Sequence, residues 1–145
     1  MRRTVLGFLV LILLSMGFGP APASAQEGVT IVADIPFAFM VENTMLPAGK
    51  YEFIQTYDQP WEWAANDAKG MIKVLFSTEP AEMMKPPRSF EATFDYVGGK
   101  YFLTNIWLDG EEDGYYVAMS RSEKALMKKG VRPKEERVPA KKKIM

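Results

Sequence analysis

Three groups of side chains in this 145-residue chain have types and spacings that could do chemistry. The first is the acidic run Asp109, Glu111, Glu112, Asp113, closed by Gly114. Asp109-x-Glu111-x-Asp113-Gly114 has the alternating oxygen donors and glycine bend with which a calcium loop begins. Its twelfth position, however, is Ser120 instead of a bidentate glutamate, and a strand pattern follows instead of a second helix. A solvated hairpin turn is therefore the competing reading, and no bound metal is expected. The second group is Tyr57, Trp61 and Trp63, three aromatics within seven residues and close to Pro60. Exposed, they would stack on sugar rings or line a pocket for an apolar ligand; buried, they would be core. The third is the scattered acids Asp34, Glu52, Glu62, Glu91 and Asp95. A glycosidase needs two carboxyls held ~5–10 Å apart across a cleft, and outward-facing strand carboxylates are the ordinary alternative.

Composition removes much other chemistry. The chain has no His and no Cys, so it can build neither a Ser-His-Asp triad nor a thiol nucleophile. Zinc sites made of imidazole or thiolate are excluded on the same ground. No cofactor is expected, no catalytic residue is assigned, and a non-enzymatic role is the leading expectation.

The elements that would position these groups follow a leader. Arg2 and Arg3 precede an apolar run from Val5 to Phe18, and Ala23-Ser24-Ala25 then supplies a small-residue cleavage site. Such a run is too short to cross a bilayer, which takes ~20 residues, and the order matches a secretory signal peptide cut after Ala25. The expected product is periplasmic or extracellular, with no transmembrane span once cleaved. Its 120 residues suffice for one domain with one core.

Charge is unevenly placed. From Gln26 to Ser120 there are 6 basic and 15 acidic residues, a net of −9. From Arg121 to Met145 there are 10 basic and 3 acidic, a net of +7.

Along the mature chain, Ile31, Ala33, Ile35, Phe37, Phe39 and Val41 alternate at period 2, as a strand with one buried face requires. Pro36 marks an edge or bulge, or divides the run into two strands. Phe37–Val41 and Tyr51–Tyr57 are expected to pair as a hairpin across the loop containing Asn43, Pro47 and Gly49. Trp61–Ala65 and Met71–Phe76 flank a polar turn, and Ser77–Pro87, with three prolines, reads as a loop. The strongest local pattern is Phe90–Leu108. Gly98-Gly99 suits a type I′ turn that pairs Val97 with Lys100, Tyr96 with Tyr101, Phe94 with Leu103 and Phe90 with Trp107. Tyr115–Met119 is a last strand. Ser120-Arg-Ser-Glu123 is a capping box opening a short, lightly docked helix that stops at Gly130.

The fold class expected is all-β, a small antiparallel barrel or sandwich with a short C-terminal helix. The divisions are 1–25 leader, 26–130 β domain and 131–145 a basic tail. That tail, with two prolines and little to bury, reads as disordered.

Four segments in order, Ile35-Pro-Phe-Ala-Phe39, Leu46-Pro-Ala-Gly-Lys-Tyr51, Tyr101-Phe-Leu-Thr-Asn-Ile-Trp107 and Ser120-Arg-Ser-Glu-Lys-Ala-Leu126, carry a resemblance. Together they make the chain similar, over about Ile31 to Leu126, to a group of small exported bacterial β-rich proteins. The resemblance implies no activity and no catalytic residue. The function expected is a non-enzymatic β module of the bacterial envelope, binding a ligand or the envelope itself. A structural envelope protein tethered by its cationic end is the alternative, and a carboxylate-based hydrolase stands behind both. Envelope glycan, lipid or an anionic polymer are the partner classes expected, and nucleic acid is not.

Overall fold

The structure is a computed structural model and describes residues 28–144. The leader and its cleavage site lie outside the described residues.

Ten strands and one helix follow in order: β1 (Thr30–Ile35), β2 (Phe39–Val41), β3 (Thr44–Leu46), β4 (Gly49–Gln55), β5 (Glu62–Asp67), β6 (Ile72–Glu82), β7 (Glu91–Val97), β8 (Lys100–Trp107), β9 (Asp113–Val117), α1 (Arg121–Lys128) and β10 (Lys134–Lys142). Eight of the strands close a barrel in the order β8-β7-β10-β1-β4-β5-β6-β9, with β9 returning to β8 and every neighbouring pair antiparallel. Closure gives each of the eight strands a neighbour on both sides and resolves the choice between sandwich and barrel. The β2–β3 hairpin hangs on the same edge of β8 that β9 uses. β2 runs parallel to Tyr101 and Phe102 while β9 takes Asn105–Trp107.

The alternating residues point inward as their period demands. Ile31, Ala33, Ile35, Phe39 and Val41 are buried, with Phe53, Trp63, Phe94, Leu103 and Ile106 in the same core. Phe37, Phe39 and Phe94 meet edge to face, and Phe37 stacks on Tyr101 with centroids 3.7 Å apart.

The β7–β8 hairpin turns at Gly98 and Gly99 (φ 58° and 78°), where an L side chain would be strained. Its register starts as expected, Val97 opposite Lys100 and Tyr96 opposite Tyr101, and then slips by one. Thr104 is the extra residue, so Trp107 faces Glu91 and not Phe90. Its hydroxyl donates to the Thr93 carbonyl at 3.0 Å, and the slip lets both Leu103 and Ile106 face the core.

Three further sequence expectations are corrected. The strand at Tyr51 does not pair with Phe37–Val41. β4 lies against β1, Ala33 opposite Tyr51, because the chain breaks after Ile35 and β2 folds onto β3 through a tight turn at Glu42 (φ 51°). Period 2 identifies a strand but not its neighbour. Residues 77–82 are not loop but the second half of β6. Past Glu62 the β5 side of β6 has no strand beside it among the described residues; Thr78 bonds Trp61 there, and Pro80, two residues on, turns its donor-less nitrogen the same way.

The third correction concerns the end of the chain. The basic end is not a disordered tail over its described residues, 131–144: Lys134–Lys142 form β10, wedged between β7 and β1, and the β domain runs beyond residue 130. Val138 and Ala140 are buried at alternate positions while charged neighbours face out. Arg137 pairs with Glu91 at 3.2 Å, and Lys143 with Glu52 at 2.9 Å. The basic end and the acidic body are thus two parts of one wall. Pro139 sits where β10 changes partner from β7 to β1, so its missing donor costs the ladder little.

Candidate functional site

The β4–β5 connection, the second half of β6 and the start of β9 meet at one end of the barrel. They enclose a groove of about 370 Å³, within the ~300–1,000 Å³ usual for ligand sites. Pro60, Trp61, Pro80 and Tyr115 give it apolar walls, and Glu79, Glu111 and Asp113 supply its only charges.

Local chemistry makes these walls rigid. Gln55, the buried last residue of β4, donates to the Pro60 carbonyl at 2.6 Å and to the Tyr115 hydroxyl at 3.1 Å. Its Oε1 accepts from the Val29 amide at 3.3 Å. One buried amide therefore clamps two opposite walls. Thr78 grips the Trp61 carbonyl twice, from its amide at 2.7 Å and its hydroxyl at 3.0 Å. Gly114 is required behind Tyr115, because any Cβ there would run into the ring of Trp107.

The three aromatic candidates separate. Trp61 is 54% exposed and forms part of the groove. Trp63, two residues on, is fully buried, edge-on to Tyr115 at 4.9 Å, and among the described residues its indole N–H has no acceptor. Trp63 lies within β5, whereas Trp61 precedes the strand in the turn after Pro60 and escapes its alternation, so the two do not form one platform. Tyr57 is 63% exposed but is not part of the groove wall. Trp61 shares the groove instead with Tyr115, 54 residues further along the chain, which no local pattern signals.

The acidic turn closes the β8–β9 hairpin, with Trp107 opposite Gly114. Glu111 and Asp113 both reach the groove, whereas Asp109 does not. Among the described residues no three acidic side chains converge closely enough to hold a metal ion. Of the scattered acids, Glu52 and Glu91 are taken up by Lys143 and Arg137.

A different acidic pair lies under α1. Ser120 accepts from the Glu123 amide at 3.0 Å, as the capping box requires, but Glu123 is only 2% exposed and its Oε1 has no partner among the described residues. Burial, reinforced by the charge of Asp95 and opposed by the Ser120 amide, pushes its carboxyl up to about 7. Asp95 is itself raised, by burial and then by Glu135. The i, i+3 spacing of Glu123 and Leu126 on one helix face is the sequence feature that marks this burial. Leu126 packs over Gly98 on that face.

A comparison with protein-family models, curated proteins and solved structures finds no match to the chain.

Proposed function

We propose that this chain is exported by its N-terminal leader and acts as a non-enzymatic binding module of the bacterial envelope, with the Trp61 groove as its contact site. The observation that carries this reading is the state of Trp61. A large aromatic is left half in water while its backbone is held by Thr78 and the facing wall by Gln55. A rigid, exposed aromatic beside a groove contributes contact area at little entropic cost on binding.

The test has two arms. N-terminal sequencing of the product should begin at Gln26; a product beginning at Met1 removes export. Titrating the protein with peptidoglycan fragments, oligosaccharides and fatty acids should move the Trp61 indole N–H resonance, and Trp61→Ala should abolish retention on purified envelope. Unchanged retention by that variant removes the groove from the function.

The tethering alternative draws on the exposed cations Lys128, Lys129, Arg132 and Lys134. Because β10 is part of the barrel, charge reversal at Lys128, Lys129 and Arg132 is its proper test. Deleting the segment would dismantle the wall instead.

A further inference from the structure

The groove shares its end of the barrel with a second feature of opposite character. The β6–β7 loop carries Met83-Met84-Lys85-Pro86-Pro87-Arg88, in which Met84 is fully exposed and Lys85 and Arg88 face solvent. Both ends of this loop are fastened to the acidic turn that borders the groove. The Met83 amide donates to the Glu112 carbonyl at 2.8 Å, and the Gly110 amide to the Pro87 carbonyl at 3.0 Å. Two prolines stiffen the loop, so its tip projects from a fixed base.

One face of the molecule therefore holds a groove with aromatic and proline walls and three carboxylates, beside a projection made of methionine, lysine, proline and arginine. Among the described residues neither Lys85 nor Arg88 has an ion pair, and neither do Glu79, Glu111 and Asp113. Each patch is the chemical complement of the other. A patch and its complement side by side on one face are what a two-fold axis needs, since each copy then gives its projection and receives its partner's.

We infer that two copies of this chain pair face to face, the Met84–Arg88 loop of each seated in the Trp61 groove of the other. Met84 meets the exposed Trp61 ring, and the cations of Lys85 and Arg88 meet Glu111 and Asp113. Methionine, tryptophan, tyrosine and arginine are the residue types that protein interfaces concentrate. The occupant follows from geometry as well as charge. The other exposed cation–proline stretch, Arg132-Pro133-Lys134, enters β10 opposite Tyr96 beside the Gly98-Gly99 turn. That is the far end of the β7–β8 ladder, roughly 17 Å from its groove end at Glu91 and Trp107 at ~3.4 Å per residue. It does not border the groove, as the Met84–Arg88 loop does through its fastening to the acidic turn.

This inference rests on the reading of the Trp61 groove as a contact site. Sedimentation velocity of the purified protein from about 1 μM to about 1 mM, at low and high salt, tests it. The expected result is a single dimer species that grows with concentration and recedes with salt. Met84→Asp, Lys85→Glu and Glu111→Lys should each remain monomeric with unchanged circular dichroism and melting. The double variant carrying Lys85→Glu and Glu111→Lys should recover the dimer. A monomer throughout, species that grow beyond dimer, full dimerisation by Lys85→Glu, or no recovery in the double variant overturns the pairing. If the protein stays monomeric while the Trp61 indole still answers envelope fragments, the groove reading survives without self-pairing. If the protein stays monomeric and the indole answers nothing, both fall.

Discussion

Two buried polar groups at different places in the barrel, Gln55 behind the groove and Glu123 beneath α1, meet burial in opposite ways. Gln55 spends both ends of its amide on Val29, Pro60 and Tyr115. Glu123 receives the Ser120 amide but leaves one oxygen without a partner among the described residues and has Asp95 as its charged neighbour. A neutral amide with every bond made holds its surroundings in one geometry whatever the pH. A carboxyl buried beside another acid is accommodated by keeping its proton, so the structure around it answers to pH. The groove is thus built as a fixed surface, and the helix contact as a conditional one.

The largest way to disturb the fixed region is from below. Trp63→Ala removes a fully buried indole and should lower unfolding free energy by about 3–5 kcal/mol in urea denaturation. Gln55→Ala leaves the Pro60 carbonyl, Val29 amide and Tyr115 hydroxyl without their partner. It should lower stability by about 1–3 kcal/mol and broaden the Trp61 indole resonance as the walls come apart.

The conditional region gives an effect of similar size with a pH signature. Unfolded, Glu123 loses its proton near its ordinary 4.5, whereas in the barrel it holds it up to about 7. The folded state therefore binds more protons between these values, and stability present below about 4.5 should fall as pH rises toward 7. Glu123→Gln keeps a good capping-box residue without a charge. It should flatten that fall and exceed the natural chain by on the order of 2 kcal/mol above neutral pH, read as the melting midpoint across pH. An equal slope in both proteins would erase the contrast with Gln55. Smallest of all is Trp61→Ala, which should change stability by less than about 0.5 kcal/mol because the ring is already half exposed, while binding is lost.

Much of the barrel is legible in residue order. Period 2 from Ile31 to Val41 marked the buried face correctly, Gly98-Gly99 located the central hairpin and its initial register, and Ser120 with Glu123 marked the helix start. The failures share a cause. β10 carries its apolar message in Val138 and Ala140 alone, and a window dominated by lysine and arginine hides two inward positions. The slip at Thr104 depends on whether its hydroxyl finds the Thr93 carbonyl across the ladder. Of the candidate site, Trp61 and the acids Glu111 and Asp113 stood out as separate features. That they border one groove is a matter of strands β6 and β9 meeting, which no local spacing encodes.

By itself, then, the order of residues determined that this is a cysteine-free, histidine-free antiparallel β protein with alternating faces, one glycine hairpin and one capped helix. Those features depend on neighbours a few positions apart, where backbone geometry and water act directly. Tertiary structure decided which strand lies beside which, and that a basic end completes an acidic wall. It also decided that of two tryptophans two residues apart one is core and the other surface. Each of these depends on groups far apart in the chain coming within hydrogen-bonding or packing distance, and that happens only when the barrel closes.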